Sequence, residues 1–230
     1  MPPTIDEEAD AWLHAGDVYS HLFFAKSPKT SMSSYKLQDW LVARKKPVYV
    51  VKGNHDCSFD MPFFDKAEHV SGRCVQIAPK LNLIGIGWAG GAYYDLPTES
   101  NLQQVCEEAR REWLLKSMPG DMTVVLTHYP PWRWDLYPGA RDPNGWLFTC
   151  VREMVDEVKP MAVIQGHIHE LFGKQFIYRS ALDQSTTAGP DFSSLFVYPG
   201  PKGGTLSLDL EASTANFSSA KTKKATDEDS

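Results

Sequence analysis

No stretch of this 230-residue chain is apolar for longer than a strand requires, which excludes the run of about 20 apolar residues that a membrane-spanning helix needs. The opening MPPTIDEEAD has neither a basic flank nor an apolar signal segment, so cytosolic (cytoplasmic) residence is expected. There is no C-x-x-C pair either. Cys57, Cys74, Cys106 and Cys150 are scattered along the chain, read as buried or free thiols, and predict no disulfide. Basic residues are also in short supply: 23 Lys and Arg stand against 29 Asp and Glu, for a net charge of -6. That balance argues against duplex nucleic acid as a partner. What is present, 42% hydrophobic and 12% aromatic residues, suffices to bury one sizeable core. The expected organisation is a single domain over 1–211. From Ala212 the sequence ASTANFSSAKTKKATDEDS is small, polar and charged, and predicts a disordered tail over 212–230.

Strand and helix patterns alternate through the first three quarters. DAWLHAG, 10–16, reads as a short strand ending on Asp17, YKLQDWLVAR as an amphipathic helix, and PVYVVK as a buried strand, which together make a β-α-β unit. CVQIAPKLNLIGIGWAGG predicts two strands about a Pro-Lys-Leu-Asn turn, and LQQVCEEARREWLLKSM a long helix stopped by Pro119-Gly120. The strand MTVVLTH, the helix GWLFTCVREMVDEVK stopped by Pro160, and the strand MAVIQGH repeat the alternation. SLFVYPG and GGTLSLDLE lie close in sequence and predict an antiparallel pair around 199–204. The fold class is α/β, with sheet layers packed between helices.

Polar residues at strand ends carry the functional signal. Four separate apolar strands end in potential ligands: AWLHAGD in Asp17, VYVVKGNHD in Asn54 and His55, TVVLTH in His128, and AVIQGHIH in His167 and His169. In open α/β sheets ligands bind beyond the carboxyl ends of the strands, so these ends should converge on one site. A carboxylate oxygen, a neutral amide oxygen and imidazole nitrogens form a mixed donor set suited to divalent Mn, Fe, Zn or Ni. An acidic chain that handles phosphates needs such ions to attract them.

At these residues the sequence resembles the calcineurin-like metallophosphoesterases, whose pattern is D-x-H, G-D-x-x-D, G-N-H-[DE], an isolated His after a strand, and G-H-x-H. Here G-D stands at 16–17, G-N-H-D at 53–56, the isolated His at His128 in LTHYPP, and G-H-x-H at 166–169. The resemblance covers roughly 10–211, including VYPGPKGGTLSLDLE, similar to the family's closing P-G and hairpin. It implies a layered β-sandwich flanked by helices (α/β/β/α) and two divalent metals. It also implies that Asp17 bridges the metals, that Asn54, His128 and His167 complete the second site, and that His169 binds the first. His55 resembles the family's catalytic acid, which protonates the leaving oxygen. Asp56 either orients His55 or caps the following turn.

Two departures accompany the resemblance. No D-x-H occurs anywhere in the chain, and only nine residues precede Asp10, where a strand, loop and helix would take about 20 to 25. The expectation is either a truncated chain lacking the family's first strand, or a variant with one good metal site and a second weakly held ion. In GDVYS, Ser20 stands where the family has its second Asp. His14 reads as a packed core histidine, and His21 and His69 as solvated loop residues. The aromatic stretches YPPWRW and WAGGAYY either rim the site, with Arg133 or Arg141 meeting phosphate oxygens, or cover the core. The function indicated is hydrolysis of a phosphomonoester or phosphodiester in a phosphorylated substrate, without membrane or duplex nucleic-acid partners. The alternatives are a binding or scaffold module that has lost efficient catalysis, and a domain whose metal only stabilises the fold; the proton donor His55 argues against the last.

Overall fold

The computed structural model of the chain describes residues 9–17, 46–54, 56, 67–87, 99–131, 148–168, 171–179, 193–199 and 204–219. Its elements are β1 (Trp12–His14), β2 (Val48–Val50), β3 (Glu68–His69), β4 (Arg73–Ala78), β5 (Leu81–Ile86), α1 (Glu99–Lys116), β6 (Met122–Thr127), α2 (Thr149–Val158), β7 (Ala162–Gln165), β8 (Lys174–Arg179), β9 (Ser193–Tyr198), β10 (Gly204–Asp209) and β11 (Thr214–Ser219). The strands form a six-stranded sheet in the order β4-β5-β6-β7-β9-β8, a three-stranded sheet β1-β2-β3, and a two-stranded sheet β10-β11. In the large sheet β5, β6, β7 and β9 run parallel, and β4 and β8 join its margins antiparallel. The result is a mixed α/β architecture with several sheets flanked by helices, as the sequence indicates.

The alternation of side chains along the central strands divides the core in two. Ile84, Val125, Val163 and Phe196 project to one face, where Leu102, Cys106 and Ala109 of α1 and Val151, Met154 and Val155 of α2 cover them. Leu83, Val124, Leu126, Ile164 and Val197 project to the other and meet Leu13, Tyr49 and Val51 from the three-stranded sheet and its margins and Leu206 and Phe217 from the two-stranded one. Strands buried on both faces carry continuous apolar runs, which is why VVL and AVI stand out in the sequence. The helix α2 ends with Lys159 in the left-handed conformation, its N–H donating to the carbonyl of Val155, ahead of Pro160. The amphipathic helix expected over 35–44 lies outside the described residues. Among the described residues no strand pairs with β1 on its free side, and no helix is long and apolar enough to cross a membrane.

Several expectations are corrected. The stretch from 212 on is not wholly a tail, because Thr214–Ser219 forms β11, antiparallel to β10, with Ala215 and Phe217 turned toward the core. The pairing expected around 199–204 does not occur: both sides of β9 are taken, by β7 and β8, so β10 finds its partner downstream in β11. His69, read as a loop residue, belongs to β3, paired with Val50. Burial, with the Lys52 and Arg73 cations nearby, pushes its imidazole down to about 4. His14 lies in β1, where burial lowers it to about 4 against the opposing pull of Asp17. Cys74, Cys106 and Cys150 are buried thiols that form no disulfide among the described residues.

The margin of the large sheet is held by an ion pair on α1. The Cys74 N–H in β4 donates to Glu112 Oε2 at 2.9 Å, and Lys116 Nζ donates both to the Cys74 carbonyl at 2.7 Å and to Glu112 Oε2 at 2.7 Å. Lys116 first, then the Cys74 N–H, hold the Glu112 carboxyl below its ordinary range against the opposing effect of burial. A depressed folded-state pKa gives stability that is present above the unfolded value and is lost as pH falls through the folded one. Glu112→Gln is therefore expected to cost about 1 kcal/mol near neutrality. That difference should close as urea unfolding is repeated below the ordinary carboxylate range; a penalty unchanged by acid would assign the effect to packing.

Candidate metal centre

The parallel strands deliver their carboxyl ends to one place. Beyond β1 the chain turns through Gly16 (φ 86°) to Asp17 (φ 55°), and beyond β7 through Gly166 to His167 (φ 62°). A left-handed conformation in a non-glycine residue is uncommon and costs energy, and such residues cluster at functional sites. Here both are candidate ligands. Beyond β2 the turn 53–56 is braced by the buried Asp56 carboxylate, whose Oδ2 accepts the Gly53 N–H at 2.8 Å, while the Asp56 N–H donates to the Gly53 carbonyl at 3.2 Å. This presents Asn54, itself buried. His128 follows β6 directly, with its N–H donating to the Ile86 carbonyl at 3.1 Å.

The close approach of these turns requires glycine. A Cβ on Gly16 would stand 2.6 Å from both the Gly53 nitrogen and His128 Nδ1, and one on Gly53 would overlap the Asp17 carboxylate. The glycines of G-D and G-N-H-D thus make room for the ligands beside them.

His128 is the pivot of the site and fully buried. Its Nδ1–H donates to the Ala15 carbonyl at 2.7 Å; a carbonyl only accepts, so in the neutral ring the lone pair sits on Nε2. That nitrogen faces Asn54 Oδ1 at 3.0 Å and Asp17 Oδ2 at 3.4 Å. His167 Nδ1 lies 3.1 Å from the same Asn54 oxygen. Ligand atoms of Asp17, His128 and His167 all lie within 4.8 Å of one another. With lone pairs on these two ring nitrogens, four residues turn electron-pair donors toward one point, an arrangement that a divalent cation between them satisfies. The carbonyl on Nδ1 is the outer partner that holds a metal-binding imidazole in one tautomer and orientation. The residues fit a metal of the borderline class.

Of the residues singled out in the sequence, Asp17, Asn54, His128 and His167 are brought together, and Asp56 stands under the turn that presents Asn54. His55 and His169 lie outside the described residues, as do Ser20, His21, Arg133 and Arg141. The Ala15 carbonyl, the anchor of His128, is invisible in the sequence, because a backbone acceptor has no residue signature. Tyr129 is readable there only as the start of an aromatic stretch. It is fully buried, with its ring centroid 5.0 Å from that of His128, 5.7 Å from His167 and 5.1 Å from Phe148. Burial, with the Asp17 and Asp56 carboxylates, drives its phenol pKa upward.

Residues 3–171 match the family model described as calcineurin-like phosphoesterase. The chain belongs to that family. Calcineurin-like phosphoesterases are generally hydrolases that bind divalent metals, and the cluster of Asp17, His128 and His167 is where this chain has the donors for one. Among solved structures, one crystal structure is 12% identical with a TM-score of 0.51, covering 93% of this chain and 89% of its own. A second, of the Thermus thermophilus protein TT1561, is 16% identical with a TM-score of 0.49, covering 93% and 87%. The first shares the fold. No curated protein matches the chain.

Proposed function

We propose that this protein hydrolyses phosphomonoester or phosphodiester bonds of a phosphorylated substrate in the cytosol, using divalent metals held at the ends of β1, β2, β6 and β7. One observation carries the reading: His128, its Nδ1 committed to the Ala15 carbonyl, holds its Nε2 toward the Asn54 and Asp17 oxygens. Divalent Mn, Fe, Zn or Ni bound there supplies charge to clamp a phosphoryl group and to activate water for in-line displacement. The chain's own residues then have distinct tasks. Asp17 offers the carboxylate suited to bridging, Asn54 a neutral oxygen, and His128 and His167 imidazole nitrogens. By its resemblance to the family, His169 serves the first metal. His55 protonates the leaving oxygen, a task suited to an ordinary imidazole pKa of about 6.5.

A second reading, a binding or scaffold module with impaired catalysis, draws on the lack of any D-x-H in the 230 residues. Without it the first metal has few ligands, and slow turnover is expected even at millimolar Mn. The experiment is a panel of nitrophenyl mono- and diesters, nucleotides and phosphopeptides, assayed with Mn and after chelation. Turnover that chelation removes and Mn restores is the expected result. A Mn-loaded protein inert toward the whole panel would favour the binding module.

A further inference from the structure

The hydroxyl of Tyr129 is out of place in a packed core. It is buried and has no hydrogen-bond partner among the described residues. A buried hydroxyl without a partner costs roughly 1–3 kcal/mol, so its retention asks for an explanation. The ring cannot swing out to water, since His128, His167 and Phe148 pack around it. The backbone is pinned as well: the Tyr129 N–H donates to Thr127 Oγ1 at 3.2 Å and the Thr127 hydroxyl donates to the Tyr129 carbonyl at 2.9 Å. Phenylalanine would fill the same space without the penalty.

We propose that Tyr129 is a positioning residue whose hydroxyl donates a hydrogen bond to an oxygen brought in by the ligands of the metal centre. The inference rests on the phosphoesterase reading and adds a residue to it. Among the described residues the Asp17 and Asp56 carboxylates act on the phenol; neither can donate, so an O–H here can serve an incoming acceptor that these carboxylates cannot. Two sources can supply that oxygen: a water that accompanies the metal, or a phosphoryl oxygen. Both are acceptors for the same O–H.

Tyr129→Phe isolates the hydroxyl, because it keeps the ring packed against both histidines. Its consequences should have opposite signs in the two states of the protein. In metal-free protein the variant should unfold at the same temperature as wild type or higher, since a penalty has been removed. With ligand, binding should weaken about 10-fold, as expected for the loss of one outer hydrogen bond. Calorimetric titration with Mn alone and titration of Mn-loaded protein with inorganic phosphate separate the two sources. Weakening in the first arm identifies the accompanying water, and weakening in the second alone identifies the phosphoryl oxygen. Unchanged binding in both arms, or a metal-free variant less stable than wild type, would overturn the proposal. Wild type run alongside tests the underlying reading: if it binds no Mn, the metal centre itself is wrong, and the metal-free comparison still reports whether the hydroxyl is a burden.

Discussion

Alanine in place of Asp17, His128 or His167 is expected to abolish tight divalent-metal binding. The three offer ligand atoms within 4.8 Å of one another, so each deletion opens a gap that no other described side chain fills. Loss of an outer-shell partner alone costs metal affinity 10- to 100-fold, and loss of a ligand should exceed about 100-fold. Wild type should hold about one Mn tightly and a second weakly. At a concentration 100 times the dissociation constant, the bound metal should stabilise the fold by about 2.7 kcal/mol. The variants should lose that gain in a thermal shift while their metal-free stabilities differ. His128→Ala removes the bond to Ala15 and should be the least stable. Asp17→Asn, which tolerates the left-handed backbone at φ 55° better than Ala, serves as the folded control for charge alone. Metal analysis of the purified proteins decides the matter, and wild-type stoichiometry in all three alanine variants would remove these residues from the centre.

The second large effect is expected at His55. His55→Ala should keep its metal and lose roughly 10² to 10⁴ in rate, the range for a general acid. The loss should be greatest on alkyl esters, whose leaving alkoxide needs a proton, and smallest on nitrophenyl esters, whose leaving group does not. Equal losses on both would make His55 a positioning residue.

Four of the ligand residues legible in the sequence come together because their signal is physical and local: an apolar run long enough for a strand, followed at once by Asp, Asn or His. Parallel strands then do the assembling. The elements that the sequence hides lack such a signal. β3 is two residues, Glu68–His69, and exists only by pairing with β2. β8, KQFIYR, lies at a sheet margin: Phe176 packs against the core while its neighbour Ile177 is left 63% exposed, so adjacent apolar residues blur the alternation that would reveal a strand. β11 does carry a period-two signal in Ala215 and Phe217, but its small polar neighbours outweigh it in a reading by composition. Proximity in sequence misleads at β9, since a strand has two edges and distant partners fill both.

The grip of α1 on β4 bears on how the molecule meets its own kind. Strand margins ordinarily present a donor and an acceptor to any passing chain, and recruitment at such a margin seeds edge-to-edge aggregation. At Cys74 the Glu112 carboxylate occupies the donor and the Lys116 ammonium the acceptor, as a further strand would. The pair acts as an end-stop: the six-stranded sheet cannot be extended at that point without first displacing the Glu112 and Lys116 side chains from Cys74.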